Sequence, residues 1–403
     1  MSFAKDGIGV VGGKSIPEGY KETEVGVIPE DWEVATFGDV LTGFNSGATP
    51  SRRKSQYYKG NIKWVTSGEL NYNIINDTLE KISYDAMLDT NLSIQPIGTL
   101  LIAITGLEAQ GTRGSCAILG VEATTNQSCM ALHTTDRITT NFLFHYYRYK
   151  GANFALKYCQ GTKQQSYTGK LVKILPIPLP PLQEQKAIAE VLSDMDKLIA
   201  AIEKLIAKKQ KIKQGTMQLL LTGKKRLPGF TGDWEVKRLV EILKVKHGKS
   251  QHQIVDADGE YPILATGGEI GRTNQYLYNK PSVLIGRKGT IDRPQYIETP
   301  FWTIDTLFYT EISSKSIAKY IYYLFNRIDW YSYNEASGVP SLNASTIEEI
   351  SIPLPPLPEQ RAIAQILSDM DAEIEALEKK LEKYRLIKAG MMEKLLTGEV
   401  RLV

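Results

Sequence analysis

The residues whose types and spacing could do chemistry in this chain are cations, amides and hydroxyls set in short turns beside β-branched runs. In the first half they are Arg52, Arg53 and Lys54, then Gln110 and Arg113 in a Gly-rich turn, then Lys163, Gln164 and Gln165. In the second half they are Arg272 and Asn274, the pair Arg287 and Lys288 between Gly286 and Gly289, then Arg293, Ser341 and Asn343. Side chains of this kind at strand ends are the usual supply of hydrogen bonds to the base edges and phosphates of a duplex. The 286–289 turn is the strongest of these, because its glycines let the backbone approach a bulky ligand while two cations project. A hairpin with solvated Arg and Lys is the plainer reading of the same residues, and both stay open.

Other chemistries lack their residues. An adenine methyltransferase of the usual kind needs an Asn/Asp-Pro-Pro-Tyr/Phe motif, and here every Pro-Pro pair is flanked by leucines. Gly7, Gly9 and Gly12 fit G-x-G-x-x-G, but no strand-like run precedes them, and Pro17 and Gly19 follow where a helix would start. Gly248-Lys249-Ser250 resembles the end of a phosphate loop, with Leu243 standing where the first glycine belongs. Cys116, Cys129 and Cys159 have no metal-ligand spacing and read as buried thiols of a reducing cytosol. His133, His145, His247 and His252 are scattered and read as structural. The chain is therefore expected to be no enzyme by itself, with no metal or cofactor of its own. A net charge of +3 argues little, but residues 208–226 hold seven Lys or Arg and no acid, either a solvated helix face or a set of phosphate contacts. No apolar run is long enough for a membrane span and the start lacks signal-peptide order, so a cytoplasmic protein without a membrane partner is expected.

The elements that must position these residues follow from an internal repeat. Residues 177–227 recur without a gap as 352–402, and 31 of the 51 aligned positions are identical. Each copy opens on a proline cluster built on Ile-Pro-Leu-Pro-Pro-Leu, continues for some forty residues with no further proline, and closes on Leu-Thr-Gly, the pattern of one long helix with a proline-rich start and a glycine stop. Apolar residues step by four and three at Ile188, Leu192, Met195, Ile199, Ile202 and Ile206 in the first copy. They do so at Ile363, Leu367, Met370, Ile374, Leu377 and Leu381 in the second, a heptad seam suited to pairing the two helices. The first seam turns basic at Lys209 and Lys213. Asp-Trp-Glu-Val at 31–34 and again at 233–236 marks the start of two further regions, each rich in short β runs with one late helix. Strands are expected at 62–66, 99–105 and 116–119, and at 282–286 and 302–310, with helices near 141–156 and 317–331.

Two variable regions, each followed by I-P-L-P-P-L-x-E-Q-x-A-I-A-x-x-L-S-D-M-D and a helix ending L-L-T-G, resemble the specificity subunit of a type I restriction-modification system. The resemblance runs from about Asp31 to Leu402. It implies an α+β chain with two target-recognition domains of mixed or antiparallel sheet, separated by two long antiparallel helices that form a coiled coil. The expected bounds are an N-terminal extension at 1–30, a first recognition domain at 31–180 and its spacer helix at 181–227, then a second domain at 228–355 and its helix at 356–403. It further implies a bipartite, asymmetric target in double-stranded DNA, two docked methyltransferase subunits, and restriction/translocase subunits in the full complex. S-adenosylmethionine, ATP and Mg would then sit on the partners. The alternative is a stand-alone two-domain DNA-binding scaffold without an enzyme partner.

Overall fold

The computed structural model describes residues 16–159 and 165–402. It divides into two compact units, Met1–Ala201 with Glu382–Val403, and Ile202–Leu381. The first runs β1 (Tyr20–Thr23), β2 (Gly26–Pro29), β3 (Glu33–Thr36), α1 (Phe37–Val40), β4 (Leu41–Ser46), β5 (Ile62–Val65), β6 (Ile74–Ile75), β7 (Glu80–Ile82) and α2 (Tyr84–Asp89). It continues β8 (Leu100–Ala103), β9 (Cys116–Leu119), β10 (Thr124–Thr125), β11 (Cys129–Thr134), α3 (Thr140–Tyr158), α4 (Gly169–Lys173), β12 (Pro176–Leu179) and α5 (Leu182–Leu220), whose residues from Ile202 onward belong to the other unit. The second runs β13 (Glu235–Arg238), β14 (Leu243–His247), β15 (Tyr261–Ala265), β16 (Gly268–Thr273), β17 (Ser282–Gly286), β18 (Gln295–Ile297) and β19 (Trp302–Thr303). It closes with β20 (Leu307–Ile312), α6 (Ala318–Phe325), α7 (Ala344–Glu348), β21 (Ser351–Leu354) and α8 (Leu357–Leu396), whose residues from Glu382 belong to the first unit.

Both units share one frame. In the first, a five-stranded sheet is ordered β4-β11-β8-β9-β6, with a smaller sheet β10-β5-β7; in the second, β14-β20-β17-β18 accompanies β16-β15-β19. A two-stranded antiparallel ladder, β3 with β12 and β13 with β21, ties the start of each domain to the proline-rich strand before its long helix. The central strands β8 and β17 are buried at every residue, which is why they read as unbroken apolar runs. Residues 20–29, expected as an extension, form the β1–β2 hairpin, and Ile28 lies in the first unit's core.

Two of the expected elements differ. The run 302–310 is two strands in different sheets, because β19 pairs parallel with β15 while β20 pairs with β14 and β17. The helix expected at 317–331 stops at Phe325, whose carbonyl accepts the Trp330 indole N–H at 2.9 Å while the two rings meet edge to face. A side-chain donor there takes up a last-turn carbonyl that would otherwise be orphaned.

The repeated motif encodes the same knot twice. Glu184, fully buried, accepts from the Trp32 indole at 3.0 Å and from Arg401 at 2.6 and 2.8 Å. Glu359, equally buried, accepts from Trp234 at 2.9 Å and from Arg226 at 2.6 and 2.7 Å. Each tryptophan comes from the repeated Asp-Trp-Glu-Val and each arginine from the end of the opposite repeat, so sequence spacing alone hides the contact. The neighbouring glutamines clamp the late helix: Gln185 donates to the carbonyls of Pro180 and Arg137 and accepts from Thr139 N–H, and Gln360 does the same with Pro355, Lys315 and Ile317. Gly223 (φ +68) and Gly398 (φ +76) take the left-handed turn that ends each helix.

Within each unit the helix segments run antiparallel. In the first, Asp196 meets Lys388 and Glu184 meets Arg401; in the second, Lys209 meets Glu373, Lys213 meets Asp371 and Arg226 meets Glu359. Ile188, Leu192, Ile202, Ile206, Ile363, Leu367, Ile374 and Leu381 are buried, while Met195, Ile199, Met370 and Leu377 are half-buried. Ile188 and Leu192 lie in the first domain's core, and Ile363 and Leu367 in the second's, so each seam begins inside a domain. The basic positions are answered by acids: Lys209, Lys213 and Arg226 of the 208–226 run are all ion-paired. Those three are thus helix-pairing groups and not free phosphate contacts. Lys388 occupies the seam position equivalent to Lys213, and Asp196 is equivalent to Asp371. A buried polar pair at a seam position favours one register at a cost in stability.

Candidate nucleic-acid interface

In the second unit the register places four chain segments at one end of the β14-β20-β17-β18 sheet. His247 pairs with Phe308, Gly286 with Leu307 and Leu284 with Gln295, so the exits of β14 and β17 adjoin the starts of β20 and β18. Lys249, Arg287, Lys288 and Arg293 leave the sheet at this end. The 286–289 turn is held on both sides: Arg287 N–H donates to Thr306 O at 2.8 Å, Leu342 N–H to Arg287 O at 2.9 Å, and Gly289 N–H to Pro340 O at 2.8 Å. Lys288 also forms a bridge with Ser341. Gly289 sits at φ +85, and a Cβ on Gly286 would fall 2.0 Å from Thr290 O, so both glycines are required by the turn. Among the described residues the Arg287 guanidinium makes a single bond, to Asp305 O at 3.2 Å, which leaves most of its donors unspent. Lys249, Lys288 and Arg293 are exposed and have no side-chain partner among the described residues.

The first unit repeats this backbone with different side chains. A Cβ on Gly47 would meet Thr125 O at 1.7 Å, and one on Gly248 would meet Ile304 O at 1.9 Å. After each glycine the next residue donates to the crossing strand, Ala48 to Thr125 O and Lys249 to Thr303 O. That residue's own carbonyl accepts an indole N–H, from Trp64 at 3.1 Å and from Trp302 at 2.9 Å. Tyr167 N–H donates to Ile104 O as Leu342 N–H does to Arg287 O, and Thr105 bridges Ser166 as Lys288 bridges Ser341. Ala48, Ile104 and Thr105 therefore stand where Lys249, Arg287 and Lys288 stand in the second unit. Beside them Thr49 donates to the exposed Gln127 amide oxygen.

Several of the candidates have partners within the fold. Arg52 makes a two-pronged pair with Glu80 (2.5 and 2.7 Å) and lies 4.2 Å over the Tyr58 ring, and Lys54 bonds Tyr57 and Asp89. Arg53 is exposed between them with no partner among the described residues. Arg113 turns inward to the carbonyls of Leu107 and Glu108 and shapes the turn that carries the exposed Gln110. Arg272 is spent on the carbonyls of Gly259 and Glu260 and on Glu269, and Asn274 on Glu260 N–H and Asp256. Asn343 caps α7 through Ser345 N–H. Gln165 N–H donates to Glu108, which brings Gln165 to the 106–114 turn. Lys163 and Gln164 lie outside the described residues, as do Gly7, Gly9 and Gly12. Sequence reasoning missed Gly47, Thr105, Gln127 and Lys249; the last lay inside the rejected Gly248-Lys249-Ser250 match.

Of the remaining chemistry, burial holds the Cys116 and Cys129 thiols well above the usual range, and Cys159 is half-buried. His145, inside the first core, is pushed down to about 4 by burial and then by the nearby Lys388 charge, with Nε2 3.0 Å from Ser193 Oγ. Among the described residues no three His, Cys, Asp or Glu side chains converge as a metal set would, and no helix is long and apolar enough to cross a membrane.

Two α+β units on one frame, with unlike side chains at matching sheet ends, are the architecture of a two-domain recognition chain. The type I restriction modification DNA specificity domain matches residues 29–214 and 231–383. The MjaIX specificity subunit of a Methanocaldococcus jannaschii type I restriction enzyme is 26% identical over 428 residues, spanning 95% of this chain and 96% of its own. The MjaVIII specificity subunit from the same organism is 25% identical over 425 residues, spanning 96% of each. The fold is similar to the crystal structure of a type I restriction-modification S subunit from M. genitalium, with a TM-score of 0.62 at 18% identity over 90% of this chain and 96% of that one. The chain belongs to the type I restriction-modification DNA specificity family.

Proposed function

We propose that this chain is the non-catalytic subunit that selects the DNA target of a type I restriction-modification complex in the cytoplasm, each unit reading one half of a bipartite, asymmetric site. Two methyltransferase subunits dock on it and bring S-adenosylmethionine; through them restriction/translocase subunits join, with ATP and Mg. The observation that carries this reading is the duplicated knot. The Glu184–Trp32–Arg401 and Glu359–Trp234–Arg226 sets, each with its glutamine clamp, give both units the same frame, on which two identical partners could find two like surfaces. The unlike sheet ends support the asymmetry of the target. The test is to express the chain with its companion methyltransferase, weigh the complex by native mass spectrometry and sequence methylated adenines in the host. Two methyltransferases per chain and one motif with two unlike halves are expected. Sequence-specific DNA binding by the chain with no methyltransferase bound would overturn it in favour of a free-standing scaffold.

A further inference from the structure

The two sheet ends superpose in their backbone bonds and differ in charge, and that difference has a consequence for which bases are read. At the three matched positions the second unit carries Lys249, Arg287 and Lys288 where the first carries Ala48, Ile104 and Thr105. Ile104 is buried and Thr105 half-buried, and none of the three positions carries a cation in the first unit. What that end offers instead is Gln127, its amide oxygen fixed by Thr49 and its amide nitrogen without a partner among the described residues. We propose that the two half-sites are read by different chemistries on one frame: Arg287, flanked by Lys288 and Lys249, selects guanine in one half, and Gln127, held by Thr49, selects adenine in the other.

The chemistry of the base edges supports this pairing. In the major groove guanine presents two acceptors, N7 and O6, which a guanidinium fork meets with two parallel donors; adenine presents an acceptor and a donor, which a carboxamide meets with one of each. Arg287 is suited to that task because its backbone is fixed at N–H and C=O by Thr306 and Leu342, and its side chain has one bond to a backbone oxygen and none to an acid. Arg52 and Arg272, by contrast, are paired with carboxylates. Lys249 and Lys288 are point charges suited to the adjoining phosphates, which orient the turn without choosing a base. The second unit should therefore contribute the steeper salt dependence.

This inference rests on the bipartite reading above. Its test is the map of methylated adenines made by the full complex with the parent chain, Arg287→Ala, Arg287→Lys and Gln127→Ala. Arg287→Ala is expected to relax one guanine position in one half-site by about ten- to a hundred-fold, the other half-site being unchanged, with Arg287→Lys intermediate because an ammonium lacks the fork. Gln127→Ala is expected to relax an adenine position in the opposite half-site. Lys288→Ala should weaken binding to all sites alike and lower the salt slope by about one. If both half-sites keep every preference in assembled Arg287→Ala and Gln127→Ala complexes, or if the positions relaxed are not guanine and adenine, the assignment is overturned while a two-part parent motif leaves the bipartite reading standing. Should Arg287→Ala fail to assemble, Arg287→Lys decides: no loss at any guanine overturns the proposal. A parent motif without two halves removes both.

Discussion

Removing Asp196 should cost the protein far more than removing Asp371, although the two occupy the same place in the repeat. Asp196 accepts from Lys388 and, at 3.0 and 3.1 Å, from Arg148; the Lys388 side chain is only 5% exposed. Burial already holds the Lys388 ammonium below its ordinary range. Without the carboxylate, a buried cation faces the Arg148 guanidinium with no counter-charge, a situation that costs about 3–5 kcal/mol. Asp371 accepts from Lys213, whose side chain is 23% exposed, and from Tyr323 Oη at 2.7 Å, and is itself 39% exposed, so water can take over much of its role. The loss there should be about 1–2 kcal/mol. Lys388→Met should be mild, because it removes the desolvated charge and leaves Asp196 paired with Arg148; added to Asp196→Ala it should recover most of the loss. Hydrogen exchange across 185–200 and 360–375 in the full chain reads the two units separately. Equal protection losses for Asp196→Ala and Asp371→Ala, or a Lys388→Met loss as large as that of Asp196→Ala, would refute the reasoning.

Arg401→Ala and Arg226→Ala should each lower the midpoint of thermal unfolding, because each leaves a fully buried glutamate without its cation, and lysine should rescue neither since one ammonium cannot make the two-pronged contact. His145 binds a proton at about 4 when folded and near 6.5 when unfolded, so the unfolded chain holds more protons between those values. Stability should be full above pH 6.5 and fall by about 3 kcal/mol as pH drops to 4, and urea titrations of His145→Asn should show a flatter profile. Arg401 bonds Asp31 at 2.8 and 2.9 Å and Tyr20 Oη bonds Gly398 O at 3.0 Å, so a chain with residue 402 linked to residue 16 and reopened at the exposed Gly229 should fold and keep the parent methylation motif.

Much of the architecture was legible in the sequence because it is written in local patterns. The repeat, the heptad steps, the proline starts and glycine stops gave both long helices, and unbroken apolar runs gave β9 and β17 to the residue. Where two elements met with little punctuation the reading failed: between Thr303 and Leu307 only Asp305 disfavours a strand, while Ile304 and Thr306 on either side of it suit one. The candidate site was legible only in its second half. Arg287, Lys288 and Ser341 are brought together because flanking glycines advertise a tight turn, whereas Arg52, Lys54 and Arg272 have partners that only the folded chain supplies, Glu80, Asp89 and Glu269 among them. The first unit's counterpart carries Ala48, Ile104 and Thr105 at the matched positions, none of them a cation, and was therefore passed over.

The first unit takes Met392, Leu395, Leu396 and Arg401 into its core and its knot, and residues 202–381 lie between Ala201 and that segment. Chain synthesis thus makes the larger part of this unit first and completes it last. The second unit is continuous in sequence and can close as soon as Leu381 has emerged. Throughout that interval Glu184 waits without Arg401, and Ile188 and Leu192 wait without the side chains that cover them. Apolar surface left uncovered in this way during synthesis is the general setting in which incompletely folded chains misassemble.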